Sequence, residues 1–353
     1  MKRVEDLQKT LKKDTAALIT SDDNRFYLSG MRSSAGTVLV TPENAYLIID
    51  FRYIEKASKT CKFETILLDN MKEQLNALLT KNGIKTLLCE VDSLSVSEFG
   101  RFEKMISPIK LSDSDELSKT LTDLRSVKTE DEINLIKEAQ KLTDDTFSYI
   151  LNYIKPGKTE REIMLEMEFY MRKLGSEGVS FDFIVVSGKN SSLPHGVPGD
   201  KVVEDGDFVT MDFGAVVGGY RSDMTRTVAV GHATDEMQKV YNTVLEAQLR
   251  AINGIKAGVT GKEVDSIARD YIYGAGYEGY FGHGTGHSVG ILIHESPACN
   301  MRDTTPLKEN VIMTVEPGIY LPEKFGVRIE DMVVVKQNGC ENITKSEKKL
   351  IVL

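Results

Sequence analysis

Four carboxylates set inside apolar, strand-forming runs constrain this chain more than any other feature. Asp212 lies in Val209-Thr-Met-Asp212-Phe-Gly214 and Asp223 in Tyr220-Arg-Ser-Asp223-Met-Thr-Arg-Thr. Glu316 lies in Met313-Thr-Val-Glu316-Pro-Gly318 and Glu330 in Val327-Arg-Ile-Glu330-Asp331-Met. A buried carboxylate is costly unless a cation, hydrogen bonds or a proton compensates it. Arg226 and Arg328 can answer for two of the four as structural ion pairs; a shared metal centre answers for all four. Asp212 and Asp223 are 11 residues apart, and Glu316 and Glu330 are 14 apart. Each spacing suits two adjacent antiparallel strands joined by a turn, with Gly218-Gly219 in the first connection and Pro322 to Phe325 in the second. Two such hairpins from two related halves bring four carboxylates together.

Histidine points the same way. The chain has only five, and three fall in His283-Gly-Thr-Gly-His287-Ser-Val-Gly-Ile-Leu-Ile-His294-Glu295. A lone histidine on an apolar strand is commonly a hydrogen-bonded core residue. Three together, beside Gly282, Gly284, Gly286 and Gly290, which allow close backbone approach, point to a site. Four carboxylates and one imidazole carry a charge of about −4, which suits two divalent cations with a bridging hydroxide. Oxygen-rich ligation favours Mn²⁺, Co²⁺ or Fe²⁺ over a thiolate zinc site. Cys61, Cys89, Cys299 and Cys340 lie outside these motifs and form no C-x-x-C pair, which predicts reduced thiols in a cytoplasmic protein.

The 353 residues suggest two domains. Over about the first 120 residues, strand-like and helix-like stretches alternate, as in an α/β unit. Helical spacing covers Val4 to Leu11, Met71 to Thr80 and Ser95 to Met105. Strands are expected at Ala16 to Thr20 and Ile84 to Cys89, with a hairpin from Thr37 to Asp50. The polar stretch Leu111 to Thr120 reads as a separator. Capping boxes at Thr129/Glu132 and Thr159/Glu162 open helices to about Tyr153 and Leu174. Strands then follow at Phe181 to Val186, Phe208 to Phe213, Arg226 to Val230, Val311 to Val315 and Val327 to Val335. The stretch Ile154 to Ile163 echoes Ile255 to Val264, with five of ten positions identical. The echo marks either two similar helix starts or a second domain built from two related halves.

Lys plus Arg number 44 and Asp plus Glu 53, a net charge of −9, which argues against a nucleic-acid or anionic-membrane surface. No apolar run approaches a membrane span, and the charged first fourteen residues do not resemble a signal peptide.

With these blocks in hand, the chain resembles the pita-bread metallopeptidases, and within them the Xaa-Pro peptidases, aminopeptidase P and prolidase. His283 to Glu295, Met211-Asp212-Phe-Gly, Ser222-Asp223-Met-Thr-Arg-Thr, Thr314-Val-Glu316-Pro-Gly and Arg328-Ile-Glu330-Asp331 match that group's blocks in order. The resemblance implies a creatinase-like α/β N-terminal domain over 1–125. It implies an α+β pita-bread catalytic domain with pseudo-two-fold halves over 126–353. It further implies that Asp212, Asp223, His287, Glu316 and Glu330 hold two divalent metal ions per chain, Mn²⁺ first, with Co²⁺, Fe²⁺ or Zn²⁺ as alternatives, and that Asp223 and Glu330 bridge them. His195 and His294 would contact the scissile amide and the proline end of the substrate. His283 would line the proline side, with Arg328 beside it as a substrate-side residue and partner of the ligands. Glu316 would also handle the proton of the attacking water. His232 matches no functional position and reads as a solvated loop residue.

The implied substrates are proline-containing peptides, and the implied assembly is a homodimer or homotetramer. Arg32-Ser33-Ser34-Ala35-Gly36 and Asp50-Phe51-Arg52-Tyr53 look more like the N-terminal domains of aminopeptidase P-type enzymes, which leave the groove open. The same arginines can serve a prolidase as a carboxylate anchor, or be structural. A non-catalytic binding protein or a metal-free amidinohydrolase on this fold would have lost ligands, and all five are present. A methionine aminopeptidase would lack the first domain.

Overall fold

The structure is a computed structural model and describes residues 2–353. It divides into a unit ending at Arg125 and a second, Ser126–Leu353. The first contains, in chain order, α1 (Lys2–Gln8), β1 (Thr15–Ile19), α2 (Asp22–Ser29), β2 (Thr37–Val40), β3 (Ala45–Ile49), α3 (Ile54–Thr60), β4 (Glu64–Leu67), α4 (Met71–Lys81), β5 (Thr86–Cys89), α5 (Val96–Ile106), β6 (Lys110–Ser112) and α6 (Glu116–Ser126). The strands form one mixed sheet in the order β4-β3-β2-β1-β5-β6. Every residue of β1, β2 and β3 is buried, as expected of strands covered on both faces. The polar stretch read as a separator instead supplies β6 and α6. Leu111, Leu117 and Leu121 turn inward there, and the polar residues between them dilute their helical spacing.

Side chains of the two N-terminal motifs make these contacts: Arg52 pairs with Asp50 at 2.7 Å, the Tyr53 hydroxyl lies 2.7 Å from Ser34 Oγ, and Arg32 stacks over the Phe26 ring.

The second unit continues with α7 (Glu130–Ile150), α8 (Glu160–Lys173), β7 (Ile184–Ser187), β8 (Phe208–Phe213), β9 (Val216–Val217), β10 (Tyr220–Arg221), β11 (Met224–Ala229), α9 (Asp235–Gly254) and α10 (Gly261–Ile272). It ends with β12 (Gly286–Ser288), β13 (Glu295–Cys299), β14 (Ile312–Val315), β15 (Gly318–Leu321), β16 (Phe325–Arg328), β17 (Asp331–Lys336) and β18 (Gly339–Asn342). Its two halves follow one plan. Each begins with a long helix and a second helix opened by a Thr/Glu capping box. Each continues into an antiparallel sheet, β11-β8-β7 in the first half and β13-β12-β14-β17-β18 in the second.

The sequence echo survives in detail. Gly157 and Gly258, at φ 95° and 91°, donate to Val203 O and Leu307 O at 3.0 and 2.8 Å. Thr159 and Thr260 form single antiparallel bridges to Val202 and Pro306. Two apolar clusters, one centred on Met167, Val185 and Met211 and the other on Val244, Val264 and Val333, fill the halves.

The plan also explains where the carboxylates stand. In each half a small hairpin is inserted between two paired strands: β9/β10 between β8 and β11, and β15/β16 between β14 and β17. Asp212 is the next-to-last residue of β8, and Asp223 immediately precedes β11. Glu316 immediately follows β14, and Glu330 immediately precedes β17. The expected single strand from Val327 to Val335 is therefore broken at Ile329–Glu330, where the chain leaves the hairpin and joins the sheet.

Candidate active site

The strand ends meet at the floor of a cleft of about 810 Å³, lined among others by Asp212, Asp223, His195, His283, His287, His294, Glu316, Arg328 and Glu330. Ligand atoms of Asp223, His287 and Glu330 lie within 4.8 Å of one another. His287 Nε2 stands 3.6 Å from Asp223 Oδ2 and 3.5 Å from Glu316 Oε1. The backbone dictates this placement. A Cβ at Gly286 would lie 2.0 Å from Thr314 O, so only glycine lets β12 lie this close to β14. The His287 N–H then donates to Thr314 Oγ1 at 3.0 Å. Nδ1 donates to Ser288 O at 3.1 Å, which leaves the Nε2 lone pair facing the carboxylates.

The electrostatics are those of a centre built for cations. Burial, then the charges of Glu330, Asp212 and Glu316, push Asp223 well above the usual carboxylate range. Burial and the charges of Glu316 and Asp212 do the same to Glu330. Burial raises Glu316 to about 8. Burial, helped by His294, lowers His287 to about 4, so its imidazole is neutral at ordinary pH. Asp212 Oδ1 and Glu330 Oε1 are buried without a hydrogen-bond partner. Buried carboxylate oxygens lacking donors, beside a neutral imidazole with a free lone pair, fit divalent cations held by oxygen and nitrogen.

Arg328 is buried, and its donors are committed. They reach Asp212 Oδ2 at 2.6 Å, the Tyr320 hydroxyl at 2.8 Å, Thr225 Oγ1 at 3.0 Å and Pro194 O at 3.2 Å. The Tyr320 hydroxyl lies 2.8 Å from His283 Nε2, while His283 Nδ1 donates to Gly284 O. Asp212, Arg328, Tyr320 and His283 thus form one continuous chain. Burial and the Arg328 charge hold His283 down at about 4, and burial holds the Tyr320 hydroxyl up at about 12. Arg226 pairs at 2.8 Å with Asp331, not with a cleft carboxylate.

His195 and His294 are exposed residues on the cleft wall, and the His294 ring stands edge to face with His287 at 4.5 Å. His232 lies 3.2 Å from Asp205 on the surface, outside the cleft lining.

Tyr320, Thr225 and the buried pair Lys128–Glu295, at 3.1 Å, are not among the residues that the sequence singles out. Tyr320 has a signal, an aromatic hydroxyl on a short strand two residues past the Glu316-Pro-Gly turn. Lys128 has none, because its partners Ser288 and Glu295 lie about 160 residues away.

Fold and site together define a metallopeptidase of pita-bread architecture. The chain belongs to metallopeptidase family M24, whose profile matches residues 134–337; residues 3–127 match the creatinase/prolidase N-terminal domain. Among solved structures it is similar to an Xaa-Pro dipeptidase from Bacillus anthracis, with a TM-score of 0.96 and 44% identity over 100% of this chain and 99% of that one. It is also similar to an X-Pro aminopeptidase from Thermotoga maritima, with a TM-score of 0.92 and 40% identity over 98% and 100%. An Xaa-Pro dipeptidase of Pyrococcus horikoshii is 38% identical over 95% of this chain and 94% of its own. The four cysteines are free, and no helix among the described residues is long and apolar enough to cross a membrane.

Proposed function

We propose that this chain is a dinuclear-metal exopeptidase that hydrolyses the Xaa-Pro bond at peptide N-termini. One observation carries the reading: four carboxylates and a neutral imidazole converge at the cleft floor, with two buried carboxylate oxygens unpartnered. Asp212, Asp223, His287, Glu316 and Glu330 would hold two divalent cations, with Mn²⁺ the first choice. Bound there, the cations would lower the pKa of a shared water and polarise the scissile carbonyl.

The chain's own residues do the rest. The bond before proline is a tertiary amide without an N–H, so its nitrogen must be given a proton to leave. Glu316 takes the proton of the attacking water and passes it to that nitrogen. His294 donates a hydrogen bond to the carbonyl oxygen as it gains charge. His283, fixed by Tyr320, and His195 bracket the proline ring. Arg328 holds Asp212 in place. Replacing His294 by Ala is expected to cut kcat by on the order of 10²-fold, the cost of one transition-state donor. Metal content measured by elemental analysis should stay near two equivalents. Loss of the metals in this variant would show that His294 is a ligand instead. His232→Ala is the silent control.

Both arginines lining the cleft are engaged, Arg328 as described and Arg161 with Asp200 at 3.1 Å. The buried Arg328 is fully committed and the exposed Arg161 is already paired, which supports cleavage of longer peptides over capture of a dipeptide's C-terminal carboxylate. A second reading, a dipeptidase, draws support from exposed Arg302 in an adjoining cavity of about 410 Å³, which shares His283, Gly284 and Asn300 with the cleft. A length series decides between them. Ala-Pro-Ala and a longer Ala-Pro peptide should release the first residue with kcat/KM at least comparable to that for Ala-Pro. Cleavage of the dipeptide alone would establish the second reading.

A further inference from the structure

Glu160, the first residue of α8, is fully buried, and its carboxylate accepts four hydrogen bonds from a single loop. Oε1 accepts from Ser187 N at 2.7 Å, Ser187 Oγ at 3.1 Å and Asn190 Nδ2 at 3.1 Å. Oε2 accepts from Gly199 N at 3.1 Å. Ser187 ends β7, Gly199 closes the loop, and His195 sits between them. The backbone of Arg161 adds a bond from its N–H to Gly199 O at 3.0 Å. Inside the loop, Leu193 N donates to Asn190 O and Gly196 N to Leu193 O. The chain of bonds from Glu160 to the backbone around His195 is therefore continuous. Exposed Leu193 and Val197 flank the histidine; besides the bonds traced to Glu160, the stretch is tied by Arg328 to Pro194 O at 3.2 Å and by Gly326 N to Ser191 Oγ at 2.9 Å.

The other half shows that this carboxylate is not a general need of the fold. In the echo, Gly261 stands where Glu160 does, and a Cβ there would lie 1.9 Å from Ala298 O. That helix start abuts its strand directly, and its anchoring acid is displaced by one turn. Asp265 accepts from Thr285 N at 3.0 Å and Thr285 Oγ1 at 2.9 Å. It also pairs with Arg269, which donates to Phe281 O at 2.8 Å and His283 O at 2.6 Å. In both halves, then, a buried acid near the start of the second helix holds a segment that presents a cleft histidine.

We infer that Glu160 is a positioning residue: by holding both ends of the loop over residues 187–199 it fixes where His195 stands in the cleft. The inference rests on the reading of His195 as a substrate-contacting residue. A carboxylate only accepts hydrogen bonds, whereas an amide presents two donors of its own. Glu160→Gln is nearly isosteric but keeps a single acceptor oxygen: with that oxygen on Ser187 and Asn190, its NH2 group faces the Gly199 N–H, and the loop loses its side-chain tether at that end.

The test is a double-mutant cycle on the Mn²⁺-loaded protein with Ala-Pro-Ala, using Glu160→Gln, His195→Ala and the double variant. Metal content and Tm are recorded for each. Glu160→Gln should lower kcat/KM about tenfold, within the range for sub-ångström to ångström misplacement of a group at the reaction. In the His195→Ala background the same change should cost less than about twofold, because coupled residues are not additive. Equal losses in both backgrounds would mean that Glu160 acts on the fold and not through His195. Full activity of Glu160→Gln alone, with His195→Ala impaired, would overturn the inference and leave the role of His195 standing. Full activity of His195→Ala would overturn both. Asn190→Ala removes one donor and leaves the carboxylate in place. It should show a smaller loss with the same dependence on His195, and it decides the matter if Glu160→Gln fails to fold.

Discussion

Substitution of His287 by Ala is expected to lower peptidase activity by on the order of 10³-fold or more. A bound cation contributes several kcal/mol to stabilising transition-state charge, and each 1.36 kcal/mol is about tenfold in rate. His287 supplies a nitrogen donor facing Asp223 and Glu316, so its loss should release metal along with activity. Asp223→Ala should behave alike. Chelation of the unmodified protein should inactivate it, and Mn²⁺ or Co²⁺ should restore it. Far-UV circular dichroism should change little, because β8, β11, β14 and β17 are held by apolar residues packed in the two clusters. Full turnover by protein shown by elemental analysis to be free of metal would sink the assignment.

Stripping the metal should also reverse the usual dependence of stability on pH. In the folded, metal-free chain Asp223 and Glu330 hold protons well above the ordinary carboxylate range, and Glu316 does so up to about 8. In the unfolded chain the same groups lose their protons near pH 4. Between these limits the folded state binds more protons, so stability falls as pH rises. It is fully present below about pH 4 and is lost as pH passes through the raised values. Each tenfold difference in proton affinity between the folded and unfolded states is worth about 1.4 kcal/mol. Together the three acids therefore contribute several kcal/mol, or a fall in Tm on the order of 10 °C between about pH 5 and pH 8. Cations replace those protons, so the Mn²⁺-loaded protein should show little of this fall, and its metal affinity should rise with pH. A Tm of the metal-free protein that holds steady or climbs over the same interval would contradict the arrangement of charges described above.

What can be read from sequence is whatever announces itself locally. The capping boxes at Thr129 and Thr159 place α7 and α8 to within a few residues. The helix α9 gives no such signal, because its cap Thr234 is followed by Met237 where those helices carry Glu. The helix α2 opens from Ser21 with Asn24 at that position and is silent for the same reason. The acids stand out because charge in an apolar strand is conspicuous. Their roles come from resemblance to known peptidases, since spacing alone leaves ion pairing with Arg226 or Arg328 open. The structure divides that alternative: Arg328 does hold Asp212, while Arg226 serves Asp331. Glu160 and Lys128 work through partners distant in the chain, and no local pattern announces such a partner.

The five candidate donors are split unevenly along the chain. Asp212 and Asp223 come from the first half of the second unit, and His287, Glu316 and Glu330 from the other. Each half presents its carboxylates at the strand ends that flank one inserted hairpin, and the second half adds His287 from β12. Neither half has a complete donor set, so the centre lies on the seam and exists only while the two lobes are joined. Once they ionise, its carboxylates repel one another across that seam and push the lobes apart. A cation shared by donors from both sides would turn the push into a pull, so occupancy of the centre and cohesion of the catalytic unit become a single property.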